Sequence, residues 1–200
     1  MSLSFTATRR TALVGLVALL GACDRNTAPV AAQSVSGHEH ASTGAAAVIS
    51  ASTEAELRSL KRATAPFQDF AAAKSAGYST QVTACYENLP VGAMGSHYGD
   101  VSLFDATLEV TRPEVLLYER QKGGGMQLVG VEYIIPFSAW TSPDAPQLLG
   151  QTFVRNLTFN VWALHVWIWK NNPAGIFEDW NPAVNCQYAP DTPSSTRSHH

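Results

Sequence analysis

After residue 50 the apolar positions of this chain become periodic. Leu57, Leu60, Ala63 and Phe67 follow helical spacing. Thr53-Glu54-Ala55-Glu56 ahead of them reads as a capping box, in which Thr53 caps the helix and Glu56 returns the bond. Pro66 ends or kinks this helix, or starts a second one at its first turn. Phe67, Phe70, Ala71 and Lys74 continue the pattern to Gly77, which suits a C-cap. The pattern predicts a helix pair or one kinked helix over residues 53–76.

From there the period shortens. Residues 82–86 and 94–98 are short strand candidates. Two apolar runs, 115–119 and 127–135, flank Arg120-Gln121-Lys122-Gly123-Gly124-Gly125-Met126, the signature of a hairpin with a glycine-rich loop. Residues 161–169 form the strongest strand, with period-two character throughout. Helices first and consecutive strands after them predict an α+β domain with a largely antiparallel sheet, one face covered by the helices. Residues 136–160, broken by Pro136, Pro143, Pro146 and Gly150, form a long connection of the kind that serves as a lid or binding loop. Asn172-Pro173-Ala174-Gly175 and Trp180-Asn181-Pro182 are turns, and the tail from Ala189 is polar.

The first fifty residues follow another logic. Arg9 and Arg10 precede an apolar run, residues 11–20, that is too short to span a bilayer. It ends in Leu20-Gly21-Ala22-Cys23, which resembles a lipobox with Cys23 as the lipidated residue. Residues 1–22 then form a signal peptide. An ordinary secretory signal with a chance cysteine is the alternative. Thr8-Arg9-Arg10-Thr11 is similar to a twin-arginine signal, so the Tat and Sec routes both stay open. Asp24 resembles an inner-membrane retention signal. Residues 23–50 are rich in Ala, Ser, Thr and Gly and read as a flexible tether. Gly37-His38-Glu39-His40 inside it is either a loose metal-capture tract or plain solvated tether. These segments place a single domain at residues 51–188, lipid-anchored to a membrane and facing the periplasm, with residues 189–200 as a disordered tail.

Composition narrows the classes. Removing Arg9 and Arg10 with the leader takes the formal net charge from −3 to −5. No basic patch suits nucleic acid. With Cys23 lipidated, Cys85 and Cys186 remain, and an oxidising compartment favours a disulfide between them. The alternative, one of them as a metal ligand, lacks a CxxC partner or a nearby histidine.

The domain holds two histidines, His97 and His165. On the last strand His165, Trp167 and Trp169 share one face, while Leu164, Val166 and Ile168 share the other. The aliphatic face suits the helix layer, so the His/Trp face is a candidate pocket wall. Glu119 and Glu132 interrupt apolar strands, where a carboxylate is costly unless paired or coordinated. His97, Glu132 and His165 together form a two-histidine, one-carboxylate set suited to a divalent transition metal such as Zn, Fe or Cu. Glu119, Tyr98 or Tyr133 is a candidate fourth ligand or support. The bland readings are a glutamate paired with Arg112, Arg120 or Arg155, and histidines satisfied in a core. A metal-free site with His165 as general base oriented by Glu132 is a further reading. The separations of 35 and 33 residues match no metal motif. There is no Gly-x-Ser-x-Gly elbow and no phosphate-binding glycine loop.

The strings Met94-Gly95-Ser96-His97-Tyr98, Arg112-Pro113-Glu114-Val115-Leu116-Leu117-Tyr118-Glu119, Leu128-Val129-Gly130-Val131-Glu132-Tyr133, His165-Val166-Trp167-Ile168-Trp169-Lys170 and Asn172-Pro173-Ala174-Gly175 resemble a family of exported bacterial proteins without an assigned function. The resemblance covers about residues 61–186. It implies one intact domain behind a variable exported leader and transfers no catalytic residues. The expectation that follows from the residues themselves is a membrane-tethered, metal-dependent enzyme of hydrolase, lyase or oxygenase type acting on a small molecule. Trp167 and Trp169 would form its apolar wall. A non-enzymatic lipoprotein that binds a small molecule or a metal is the alternative, and a structural envelope protein with a buried His–Glu–His network is the third reading.

Overall fold

The computed structural model describes residues 49–190. The expected signal peptide, the lipobox Cys23, the expected tether up to residue 48 and the expected tail at 191–200 lie outside the described residues. The domain opens with a 14-residue helix, α1 (Ala51–Thr64). Its N-cap is Ser50, whose hydroxyl accepts from the Thr53 backbone N–H at 3.1 Å. The helix therefore starts ahead of the expected capping box, and Thr53 instead donates to the Leu149 carbonyl. A 3-10 turn at Ala65–Gln68 carries Pro66 in its first turn. A six-residue helix, α2 (Phe70–Ser75), follows, capped by Asp69, whose carboxylate accepts from the Ala71 N–H.

Eight strands follow: β1 (Thr80–Asn88), β2 (Gly92–Gly99), β3 (Val115–Arg120), β4 (Met126–Pro136), β5 (Gln147–Leu148), β6 (Gln151–Thr152), β7 (Val154–Asn156) and β8 (Val161–Val166). Six of them build one curled antiparallel sheet in the order β1-β2-β3-β4-β8-β7. β5 and β6 pair in a small hairpin of their own. The domain is thus α+β with an antiparallel sheet. The long connection expected at 136–160 is structured by β5, β6 and β7, and β7 extends the main sheet beside β8.

Both faces of the sheet are covered. On one, Leu60, Ala73 and Tyr78 pack with Leu116, Tyr118, Val131, Tyr133, Leu164 and Val166. Each fully buried aliphatic or aromatic side chain there contributes roughly 1.5–3 kcal/mol. Buried tyrosines spend their hydroxyls on backbone carbonyls: Tyr118 donates to Phe67, Tyr78 to Pro113 and Tyr133 to Val110. These bonds tie the helical layer and the 104–114 loop to the strands.

The opposite face carries Val115, Leu117, Val129, Ile134, Ala163 and Trp167, and the C-terminal segment folds back over part of it. Cys85 and Cys186 form a disulfide with a Cα–Cα distance of 5.6 Å. Asn181 exchanges two backbone hydrogen bonds with Ala93, both 3.1 Å. Glu119 binds Lys170 Nζ at one carboxylate oxygen and both the backbone and side-chain nitrogens of Asn185 at the other. These clamps leave part of the concave face open, and the candidate site sits there.

β8 is shorter than its pattern suggests. After Val166 the Trp167 N–H turns to the Ile176 carbonyl, and the N–H groups of Trp169 and Lys170 both reach the Val129 carbonyl. Gly130 makes room for this departure, since a Cβ there would lie 2.9 Å from the Val166 carbonyl oxygen.

Candidate metal centre

Three strands of the main sheet, β2, β4 and β8, and one bulge bring the site together. Glu132 on β4 lies directly opposite His165 on β8. On its other side β4 pairs with β3 (Glu132 with Val115), and β3 pairs with β2 (Leu117 with His97). His97 therefore starts two strands from Glu132, about 9–10 Å along the sheet. The curl of the sheet and the length of both side chains close that gap. His97 Nε2 lies 3.6 Å from Glu132 Oε2, and His165 Nε2 lies 3.6 Å from Glu132 Oε1.

β2 does not alternate cleanly, and this matters for His97. Gly95 has φ +80°, a region that favours glycine, and a Cβ there would meet the Tyr118 carbonyl oxygen at 2.7 Å. The β1–β2 register shifts on either side of the Tyr86–Gly95 pair. A bulge of this kind re-aims side chains. As a result Met94 and His97, three residues apart, line the same cavity.

Each histidine is held by its second nitrogen. His97 Nδ1 is 2.7 Å from Thr83 Oγ1, and His165 Nδ1 is 3.2 Å from Asp179 Oδ1. The Trp167 ring stacks on His165 with an interplanar angle of 11° and donates its indole N–H to the Glu178 carbonyl. The imidazoles thus point Nε2 at a shared centre where Glu132 also points. One ligand atom from each of the three residues lies within 4.8 Å of the other two. A tetrahedral Zn²⁺ with bonds of about 2.0–2.2 Å holds its ligand atoms roughly 3.3–3.6 Å apart. The two Glu–His separations already match that spacing.

The contacts inside the cluster do not satisfy it. At 3.6 Å the carboxylate is outside hydrogen-bonding range of either ring. His165 Nε2 is buried and, among the described residues, has no hydrogen-bond partner. Burial, reinforced by the neighbouring His165, holds the His97 pKa down at about 3, so its ring is neutral at physiological pH. Burial pushes Glu132 up, with His165 opposing and Asp179 adding to the rise. At His165 burial pulls down, but Glu132 and Asp179 outweigh it and the net shift is upward. The hydrogen bond from His165 lowers the Asp179 pKa, which keeps that carboxylate charged.

The cluster lines a cavity of about 700 Å³. Most of its other walls are apolar, from β1, β2, β4, β8 and the loop before β8. A second, smaller pocket under the turn after β7 also reaches His165, through Asp179, Asn156 and Met94.

The other residues singled out in the sequence fall elsewhere. Tyr98 and Tyr133 alternate onto the helix-covered face, where Tyr98 packs edge-on against Phe70 and Tyr118. Trp169 lies on that face as well, because the strand ends before it. It donates to Thr64 Oγ1 and carries Lys61 over its ring. Trp167 stays beside His165 but is buried and does not line the cavity, so neither tryptophan forms its apolar wall. Glu119 is occupied by Lys170 and Asn185. None of Arg112, Arg120 or Arg155 pairs with Glu132, whose ion-pair partners among the described residues are the two histidines. Arg155 lays its guanidinium on Phe137 and Trp162. Thr83 and Asp179, which support the ligands, did not stand out in the sequence, although Asp179 adjoins the Trp180-Asn181-Pro182 turn.

Comparison of the chain with protein-family models, with curated proteins and with solved structures gives no match.

Proposed function

We propose that this chain is a lipid-anchored envelope protein whose domain is a metal-dependent enzyme acting on a small molecule. His97 Nε2, His165 Nε2 and the Glu132 carboxylate hold one divalent ion, Zn²⁺ or Fe²⁺. Two imidazoles and a carboxylate form the set that leaves coordination positions open for water, oxygen or substrate. Such an ion supplies Lewis acidity or an activated water at neutral pH. Asp179 fixes the His165 tautomer and makes its ring a better donor, and Thr83 orients His97.

One observation carries this reading: His165 Nε2 is buried without a partner while its other nitrogen is held by a charged carboxylate. Leaving a buried acceptor bare costs about 1–3 kcal/mol. A structural network would have satisfied the atom, whereas a metal bond does so without moving the fold. The Cys85–Cys186 disulfide supports an oxidising compartment. Together with the apolar leader and Cys23 it favours export and anchoring.

Elemental analysis of the purified chain tests the proposal. Near-stoichiometric Zn or Fe in the natural protein, lost in His165→Ala, is the expected result. Metal-free protein after reconstitution with either ion would reject it.

A further inference from the structure

The walls of the cavity define what can enter it. Among the described residues, the lining contains no Lys, Arg, Asp or Glu apart from Glu132. Its polar groups away from the His97–Glu132–His165 end are uncharged, among them Ser138, Asn156 and Asn160. The volume of about 700 Å³ falls inside the range of roughly 300–1,000 Å³ typical for whole small-molecule ligands. The mouth is apolar too. Val82, Tyr86 and Phe159 line the cavity and still keep 38%, 57% and 55% of their surface exposed. Away from the His97–Glu132–His165 end, an anionic group would lose its hydration against apolar walls with no cationic side chain to replace it.

Resting on the metal-site reading above, we propose that the ligand is a mainly apolar molecule with an uncharged body and one polar head. The head sits at the His97–Glu132–His165 end, and the apolar body lies along Ala84, Phe104 and Ile134 toward the rim at Tyr86 and Phe159. The lining disfavours compounds that carry a phosphate, carboxylate or sulfonate on the body, away from that end. Asn156 and Asn160 offer neutral hydrogen bonds to the ligand near the mouth.

A matched pair of fluorescent probes tests this. N-phenyl-1-naphthylamine is neutral, and 1-anilinonaphthalene-8-sulfonate adds a sulfonate to the same aromatic body. Both are titrated, in chelator so that no bound cation draws the sulfonate, into the full-length chain carrying Cys23→Ser, and into the same chain carrying Ala84→Trp, Phe159→Arg or His165→Ala. The neutral probe is expected to bind with one site per chain, at least about tenfold more tightly than the anion. Ala84→Trp should weaken it by a similar factor. Phe159→Arg changes an exposed rim residue and is not expected to disturb folding; it should narrow the gap by favouring the anion. Equal or tighter binding of the anion to the unmodified cavity would overturn the proposal, as would neutral binding that both cavity variants leave unchanged. His165→Ala separates the two readings. If the natural chain holds no metal but the neutral preference persists, the metal reading falls and the ligand class stands. If metal binds and the neutral preference is absent, the ligand class falls alone.

Discussion

Glu132→Gln separates a metal centre from a structural ion-pair network more sharply than removal of either histidine. The substitution keeps volume and shape and removes the charge. If Glu132 were there to hold His97 and His165 in a buried salt-bridged core, neutralising it would strand a buried imidazolium. That should cost about 3–5 kcal/mol. The geometry argues for a much smaller cost. Both Glu–His separations are 3.6 Å, too long for hydrogen bonds, His97 is held neutral, and His165, raised by Glu132 and Asp179 together, keeps Asp179 as its partner. Burial raises the Glu132 pKa on balance, so the folded protein disfavours this charge when no ion is present. The metal-free variant should therefore stay within about 1 kcal/mol of the natural protein or exceed it. Metal binding should respond in the opposite way. Losing the anionic ligand of three should weaken affinity at least about 100-fold, equivalent to about 2.7 kcal/mol. Denaturant unfolding in chelator gives the first quantity, and competition against a chromophoric chelator gives the second. The natural protein at metal concentrations a hundredfold above Kd should also gain about 2.7 kcal/mol of stability, which the variant should not. A metal-free Glu132→Gln protein destabilised by 3 kcal/mol or more, with unchanged metal affinity, would refute the reasoning.

Three further outcomes follow. Asp179→Ala removes the acceptor 3.2 Å from His165 Nδ1 and should weaken metal affinity about 10–100-fold with little change in metal-free stability, read by the same competition titration. Glu114, pushed up to about 8 chiefly by burial, has a folded pKa above its unfolded one. Its contribution to stability is complete below about pH 4.5 and is lost as pH rises through about 8. Glu114→Gln keeps an acceptor for the Ile134 N–H, so it should match the natural Tm at pH 5 and exceed it at pH 9 in thermal melts. Replacing Cys85 and Cys186 by serine opens a loop spanning a sequence separation of 101 residues and should cost roughly 2–5 kcal/mol in denaturant unfolding.

The period of the apolar residues was enough to anticipate α+β with consecutive antiparallel strands, because alternation and helical spacing are local signals. The cysteine count was enough to pair Cys85 with Cys186, since only two remain once Cys23 is assigned to the lipobox. The triad was legible for another reason. His97, Glu132 and His165 are chemically out of place in apolar strands, and such residues advertise themselves one at a time. What alternation could not supply was the geometry at its own interruptions. The bulge at Gly95 and the departure of the chain after Val166 depend on close backbone contacts with Tyr118 and Val129, which are distant in sequence. Trp169 was therefore assigned to the wrong face. Tyr98 and Tyr133 kept the alternation, and the error there was chemical: polar hydroxyls suggested a site, whereas Tyr133 serves a backbone carbonyl and Tyr98 packs among aromatics. Asp179 and Thr83 sit in ordinary polar contexts, and only the fold brings them to the imidazoles.

On this reading one ion sits between His97, Glu132 and His165. Anomalous diffraction from crystals of the metal-loaded protein, recorded above the Zn or Fe absorption edge, tests it most directly. The account predicts a single strong peak about 2.0–2.2 Å from His97 Nε2, His165 Nε2 and a Glu132 carboxylate oxygen. A peak elsewhere, or none in crystals grown with saturating metal, would contradict it.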